Sequence, residues 1–545
     1  MPSAPQPAAQ SDGKIKSSPP GSAWAQHVLL FALFFAALML LHAPLLRLPY
    51  FWDEAGYYIP AARDFFLTGS LIPLSTPSNA HPPLVMAWLA LAWRVFGYST
   101  LATRTAMLAL SAFSLLGLFR LARLAANLPL AWAAVALVAI YPVYFVESSL
   151  AQVDLPAAGF TFWALAAYIE GRPRQAALWF SLAVLAKETA ILAPLALLAW
   201  ELLAHIVRPP LQASTPPQAR WMQVPFPASR HLHLPYLLFP LAPLAAWYAY
   251  HYAKTGFLLG NPQFFRYNVA STADPLRIVL ALGMRLWQVF GYFGLYLLTL
   301  AVLLAVLRAP RTLRDKQSSV ARTEIPFPLQ AAFLPVLLAY LVFMSIIGGA
   351  VLARYMLPVV PLAILALLSA LWQRARDWKL VSGVVGLAFV FGLFSNPPYG
   401  FSLEDNLAYR DYVVMHGAAA RFLTLRYPGS SVLTAWPASD ELTRPWLGYV
   451  NPRPPFRVLR IEDFSLPQVE LAAKARRRFD VALVFSTKYQ PPHPIFENWA
   501  AWQRLKGKFF GYHRDLPPEE IAQRLGGALV FFRKRDGQWI AVIAL

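Results

Sequence analysis

The chain has 545 residues, 58% of them hydrophobic and 14% charged, with 47 basic and 27 acidic side chains and no cysteine. So little charge cannot cover a water-soluble surface of this size, so the chain belongs in a membrane, and disulfides and thiolate metal sites are excluded. A formal charge of +20 would point to nucleic acid in a soluble protein, but no nucleic-acid motif accompanies it, and basic cytoplasmic loops of a membrane protein account for it.

Residues 1–22 are rich in Pro, Ser and Ala and are expected to form a disordered tail. The apolar run 28–41 continues toward 48 without a small-residue cleavage site, so it reads as a retained span rather than a cleaved signal peptide. Further spans are expected at 101–121, 131–147, 154–170, 176–188, 189–206, 235–252, 287–308, 328–348, 352–373 and 380–396. The segment PPLVMAWLALAWRVFG (82–97) is short and opens with two prolines. If it crossed the bilayer, the basic clusters at Arg120/Arg123, Arg172/Arg174, Arg308–Lys316 and Arg374–Lys379 would face outward. It is therefore placed in the outer interface as an amphipathic helix. The expectation is a multi-span α-helical membrane protein of about 11 spans, residues 23–396, in the inner (plasma) membrane with a cytoplasmic N-terminus. From 397 the chain turns polar, and residues 397–545 are expected to form a soluble α/β domain outside the cytoplasm. Its strands are expected at 431–436, 457–461, 480–486, 528–533 and 539–544, and its helices at 407–426 and 467–478.

With this topology the unusual charges collect on one side. YFWDEAGYYIP (50–60) carries Asp53, Glu54 and Tyr57 directly after the first span, and His81 follows in the same loop. Glu147 and Asp154 lie in VESSLAQVDLP, Lys187 and Glu188 in LAKETAILAP, Arg266 in PQFFRYN, and Arg354 and Tyr355 in LARYMLPVVP. Ionisable groups at membrane depth cost about 2.5–3.5 kcal/mol on insertion scales and mark sites or pathways. A carboxylate can take a proton from a hydroxyl, and Arg and Lys can hold a departing phosphate. No P-loop or dinucleotide fingerprint is present. An enzyme outside the cytoplasm has no nucleotide sugar at hand, so a lipid phosphate is the expected activated substrate.

WDEAGYY, HPPL, QVDLP, LAKET and RYMLPVVPLAIL, in this order and followed by a C-terminal domain, resemble the GT-C glycosyltransferases, the group of the protein O-mannosyltransferases and the lipid A aminoarabinose transferases. The resemblance covers roughly residues 25–400. It implies a polyprenyl-phosphate sugar donor, a glycan, lipid or protein acceptor, and inversion at the anomeric carbon. Carried over, Asp53 is the base or acceptor-orienting residue, Glu54 its neighbour in the pair, and Asp154 the second-loop acid. Tyr57, His81, Lys187, Glu188, Arg266, Arg354 and Tyr355 are the implied substrate-binding set. Some members of the fold place a divalent metal, Mg or Mn, between the two loop acids, here Asp53 and Asp154; the sequence leaves its presence open. His81 stands where the aminoarabinose transferases carry Lys, and Gly56 where they carry Arg, so the resemblance does not extend to their sugar. The competing reading is a transporter or flippase of lipid-linked sugars, which predicts charges at the bilayer midplane and inverted repeats.

Overall fold

The computed structural model describes residues 20–207, 233–260, 274–308, 313, 322, 325, 327–347, 349–451, 456–492 and 499–545. Most of the tail expected to be disordered, and Arg266, lie outside the described residues.

Helices dominate the described residues as far as Phe394, and they break where the sequence supplies a breaker. The run expected as one span at 131–147 is two helices, Leu128–Ile140 and Pro142–Glu147, because Pro142 removes a backbone donor and Tyr141 is extended. Helix Pro173–Ala186 stops where Lys187 turns extended (φ −150°, ψ 129°), and a short turn, Glu188–Ile191, leads into Leu192–Val207. Gly294, at φ 90°, and Phe293, at φ 47°, kink the path between Pro275–Phe290 and Leu295–Arg308. Among the described residues five helices are long and apolar enough to cross a membrane, and four more apolar helices are shorter. The expected count of about 11 treated each apolar run as one rod, whereas several runs are broken in two. Helix Leu84–Phe96 has 13 residues, about 20 Å at 1.5 Å per residue, too short for a hydrocarbon layer of about 30 Å.

The C-terminal part holds a five-stranded sheet in the order β2-β1-β3-β5-β4, with β1 Ser431–Ala435, β2 Arg457–Ile461, β3 Val481–Phe485, β4 Ala528–Arg535 and β5 Gln538–Ala544. β1 pairs in parallel with β2 and β3, whereas β5 runs antiparallel to β3 and β4. The apolar β3, VALVF, is buried at every residue, as expected of a central strand covered on both faces.

Two cores organise the molecule. One lies among the apolar helices, with Leu38, Leu118, Val138, Phe162, Ile364 and Phe389. The other is shared: Tyr50, Phe51, Leu89, Trp93 and Phe145 pack in one cluster with Leu433, Val484 and Ile540 of the sheet. Backbone and side-chain bonds cross the same seam, Tyr50 N–H to Leu447 O at 3.2 Å and Tyr98 hydroxyl to Trp446 O at 2.7 Å. The loop after the first helix is thereby fixed to the C-terminal domain, and the candidate site lies beneath this seam.

Candidate active site

Asp53 and Glu54 are adjacent in sequence and diverge in space. Trp52 holds a left-handed conformation (φ 43°), uncommon for a bulky side chain, and a short π-type turn, Glu54–Tyr58, follows. Glu54 turns inward and is fully buried, with both carboxylate oxygens on the Arg104 guanidinium and further donors from the Ala151 and Phe51 backbone N–H groups. Arg104 also donates to Ser149 O at 2.9 Å. Glu54 therefore ties the first loop to helix Thr100–Ala125 and to segment 148–151. Removing one partner of such a pair strands a buried charge, at about 3–5 kcal/mol. Arg104→Met should lower the unfolding temperature by several degrees in a thermal-unfolding scan of the purified protein, and an unchanged transition would remove the clamp from the account.

Asp53 turns the other way, into an ion-pair network centred on Arg354. The Arg354 guanidinium, 2% exposed, donates to Asp53 Oδ2 at 2.6 Å and to Glu404 Oε1, and its Nε lies 3.3 Å from Asp154 Oδ2. The Nε contact has an ion-pair distance without hydrogen-bond alignment, since neither atom is satisfied by that criterion. Asp154 opens helix Asp154–Ile169, where the helix dipole favours a negative charge, and its Oδ1 accepts from the Lys187 ammonium. That ammonium sits 3.8 Å from the centre of the Tyr355 ring. Gln152 Nε2 donates to Glu404 Oε2 at 3.1 Å. Beside the network, His81 Nδ1 meets Glu188 Oε2 at 2.8 Å, and the Tyr58 ring stacks on His81 at 6.0 Å. Asp53 is the accessible acid of the set, with 22% of its side chain exposed against 2% for Asp154 and 4% for Glu404.

The structure thus brings together Asp53, Asp154, Lys187, Arg354 and Tyr355, with His81 and Glu188 adjoining. Tyr57 points toward Trp436 of the C-terminal domain, ring centres 6.2 Å apart. Gly56 lies under the same indole: a Cβ there would come within 2.5 Å of it. Glu147 is buried with neither carboxylate oxygen hydrogen-bonded among the described residues. The sequence reading passed over Glu404, Gln152 and Arg285. Glu404 did carry a signal, since SLEDN (402–406) sets an acid pair directly after the last apolar helix, as Asp53–Glu54 follows the first. Arg285 is fully buried, and its hydrogen bonds go to neutral oxygens, Leu352 O at 2.6 Å and Gln288 Oε1 at 2.9 Å. Its guanidinium carbon lies 5.6 Å from the Tyr355 ring centre.

A metal between Asp53 and Asp154, which the sequence leaves open, does not fit this donor set. Arg354 bridges the two acids and Lys187 takes the remaining Asp154 oxygen, so cationic side chains stand where the metal would bind. Among the described residues no three His, Cys, Asp or Glu side chains converge in a metal-binding arrangement.

Asp405, beyond the last apolar helix, is fully buried, and burial pushes its carboxyl up to about 7, although the Tyr292 hydroxyl donates to it at 2.6 Å. The folded state then keeps a proton that the unfolded chain, with its ordinary value of 3.8, releases. This contribution to stability is complete below about pH 4 and is lost as pH rises toward about 7, at about 1.4 kcal/mol per unit. Asp405→Asn does not titrate, so its unfolding temperature should fall less than that of the wild type between about pH 5 and pH 7. Parallel curves for the two proteins would contradict this.

Residues 80–219 match the family described as dolichyl-phosphate-mannose-protein mannosyltransferase. No curated protein sequence matches. Among solved structures, ArnT from Cupriavidus metallidurans in the apo state superposes with a TM-score of 0.51 at 15% identity, covering 96% of this chain and 98% of that one. The chain has the fold of the GT-C glycosyltransferases. The same ArnT bound to undecaprenyl phosphate aligns at a TM-score of 0.48 and 14% identity over 96% and 98% of the two chains. The archaeal oligosaccharyltransferase AglB from Archaeoglobus fulgidus aligns at 0.46 and 12% over 96% and 74%. The matched segment 80–219 contains His81, Asp154, Lys187 and Glu188, but not Asp53, Arg354 or Glu404.

Proposed function

We propose that the protein is a membrane glycosyltransferase. It moves a sugar from a polyprenyl-phosphate donor to a hydroxyl of a glycan, lipid or protein acceptor, on the side of the plasma membrane away from the cytoplasm. The observation that carries this reading is Asp53: a partly exposed carboxylate, oriented by a buried arginine, at the base of the seam between the first loop and the C-terminal domain. The matching family's description names a lipid-phosphate sugar, which supports the donor class.

In the proposed step the acceptor oxygen attacks the anomeric carbon and its proton passes to Asp53. The bond from that carbon to the phosphate oxygen breaks, the electron pair leaves with the lipid phosphate, and the configuration inverts. Arg354 and Lys187 are already neutralised by Asp53, Asp154 and Glu404, so they hold the carboxylates in place. Arg285, whose partners are neutral oxygens, supplies positive charge for the departing phosphate, with His81 beside the network.

The test uses the purified protein in nanodiscs with a panel of polyprenyl-phosphate sugars. Release of polyprenyl phosphate from at least one donor is expected. Movement of lipid-linked sugar across the bilayer, with no release from any donor or acceptor combination, would replace this reading with transport.

A further inference from the structure

β4 is an edge strand of the sheet, and most of its side chains are exposed. Leu529, Val530 and Phe532 are exposed, and so are the successive cations Arg533, Lys534 and Arg535. Bare apolar edge strands invite association, and soluble proteins usually cover or interrupt them. The position of this strand supplies a cover. The turn after β4 is joined to the end of the last apolar helix, where Asn396 Nδ2 donates to Asp536 O at 2.9 Å. That helix, Trp378–Phe394, exposes Leu380, Leu387, Phe391 and Phe394 along one face, the pattern of a lipid-facing surface. Beside its end, Trp287 Nε1 donates to the Tyr399 hydroxyl at 3.2 Å, and the Trp287 ring stacks with Tyr296 at 6.4 Å, an aromatic group of the kind found at the level of lipid headgroups.

Asp536 is three positions from Arg533, about 10 Å of strand, comparable with the headgroup layer. Phe531 packs on Phe422 and Arg535 pairs with Asp411 at 3.1 Å, so those side chains face helix Ala408–Arg426. By strand alternation Phe532 and Lys534 face away from it. Four cations, Arg410, Arg533, Lys534 and Arg535, meet two acids here: Asp411, which pairs with Arg410 and Arg535, and Asp536, 3.8 Å from Arg535. The patch keeps a positive excess.

We infer that β4 and its turn are a membrane-surface rim, on which Phe532 and its apolar neighbours enter the interfacial layer while Lys534, on the same face, meets the phosphates of anionic lipids. The bilayer, rather than a soluble partner, occupies the edge because the turn is already fastened to the end of a lipid-facing helix. The rim gives the C-terminal domain a second support, besides the first loop, at the β4 end of the sheet.

The chain has no cysteine, so single labels can be placed cleanly. Phe532→Cys and, separately, Glu470→Cys would carry a fluorophore on the full-length protein in nanodiscs containing headgroup-linked nitroxide quencher. Glu470 is exposed and lies within ion-pair reach of Arg524, in the helix that precedes the far end of β4. Quenching at 532 should exceed that at 470 several-fold in discs with anionic lipid. It should fall in zwitterionic discs, and again when Lys534→Glu is added. Equal quenching at the two positions, or quenching at 532 that ignores lipid charge, overturns the inference. So does shielding of the 532 label by an acidic peptide in lipid-free detergent, which would give the edge to a peptide partner.

Discussion

Asp53→Asn should abolish measurable sugar transfer, with a loss of about 10²–10⁴-fold if general-base chemistry is the part removed. The substitution keeps the shape of the side chain and an oxygen that can accept from Arg354 Nη2, the atom that holds Asp53 Oδ2 at 2.6 Å. It takes away the negative charge and the place for a proton. Arg354 keeps its contacts to Glu404 and Asp154, so the fold should survive. The measurement pairs a thermal-unfolding scan with release of polyprenyl phosphate. A variant that unfolds like wild type and does not turn over supports the assignment. A variant that turns over normally removes Asp53 from the chemistry and leaves the network a structural role.

Arg354→Met should damage both stability and turnover. The guanidinium is shared by Asp53, Asp154 and Glu404, the last two almost wholly buried. Without it the buried carboxylates lose their cation, at a cost of about 3–5 kcal/mol. Lys187 reaches Asp154, but no ion pair joins it to Asp53 or Glu404 among the described residues. Arg354→Lys separates the two effects. One ammonium keeps a positive charge in the site but cannot present the planar, several-pronged donor set that three acids use. This variant should recover part of the unfolding temperature while transfer stays at least about tenfold low, equivalent to about 1.4 kcal/mol in the barrier. Wild-type behaviour of Arg354→Met in both assays would show that the acids do not depend on it.

Much of the architecture was legible because its signals are local. Apolar runs, prolines and changes in composition located the helical part. The five expected strands match β1 to β5 to within two residues at each end, because short β-branched and aromatic stretches between turn residues carry a strand signal of their own. The span count was less legible. Tyr141–Pro142 interrupts the run 131–147 that composition alone joins, whereas the break at Lys187 falls close to the expected boundary between spans 176–188 and 189–206. The site divides in the same way. Asp53, Asp154, Lys187, His81 and Arg354 stood out as charges in apolar surroundings. Glu404 lies inside the polar segment, where the acid pair it forms with Asp405 is a weaker signal than a charge in an apolar run, and Arg285 belongs to a helix whose depth composition does not reveal.

By itself, then, the sequence determined that this is a membrane protein with a C-terminal α/β domain and a collection of costly charges near membrane ends, since burial costs and periodicity can be read residue by residue. Only the tertiary structure decided how those charges pair. Adjacent Asp53 and Glu54 part company because the backbone at Trp52 sends one carboxylate to Arg354, 301 positions away, and the other to Arg104, 50 positions away. An ion pair depends on distances of a few ångströms between segments remote in sequence, and packing the first loop, the helices and the sheet around shared cores sets those distances.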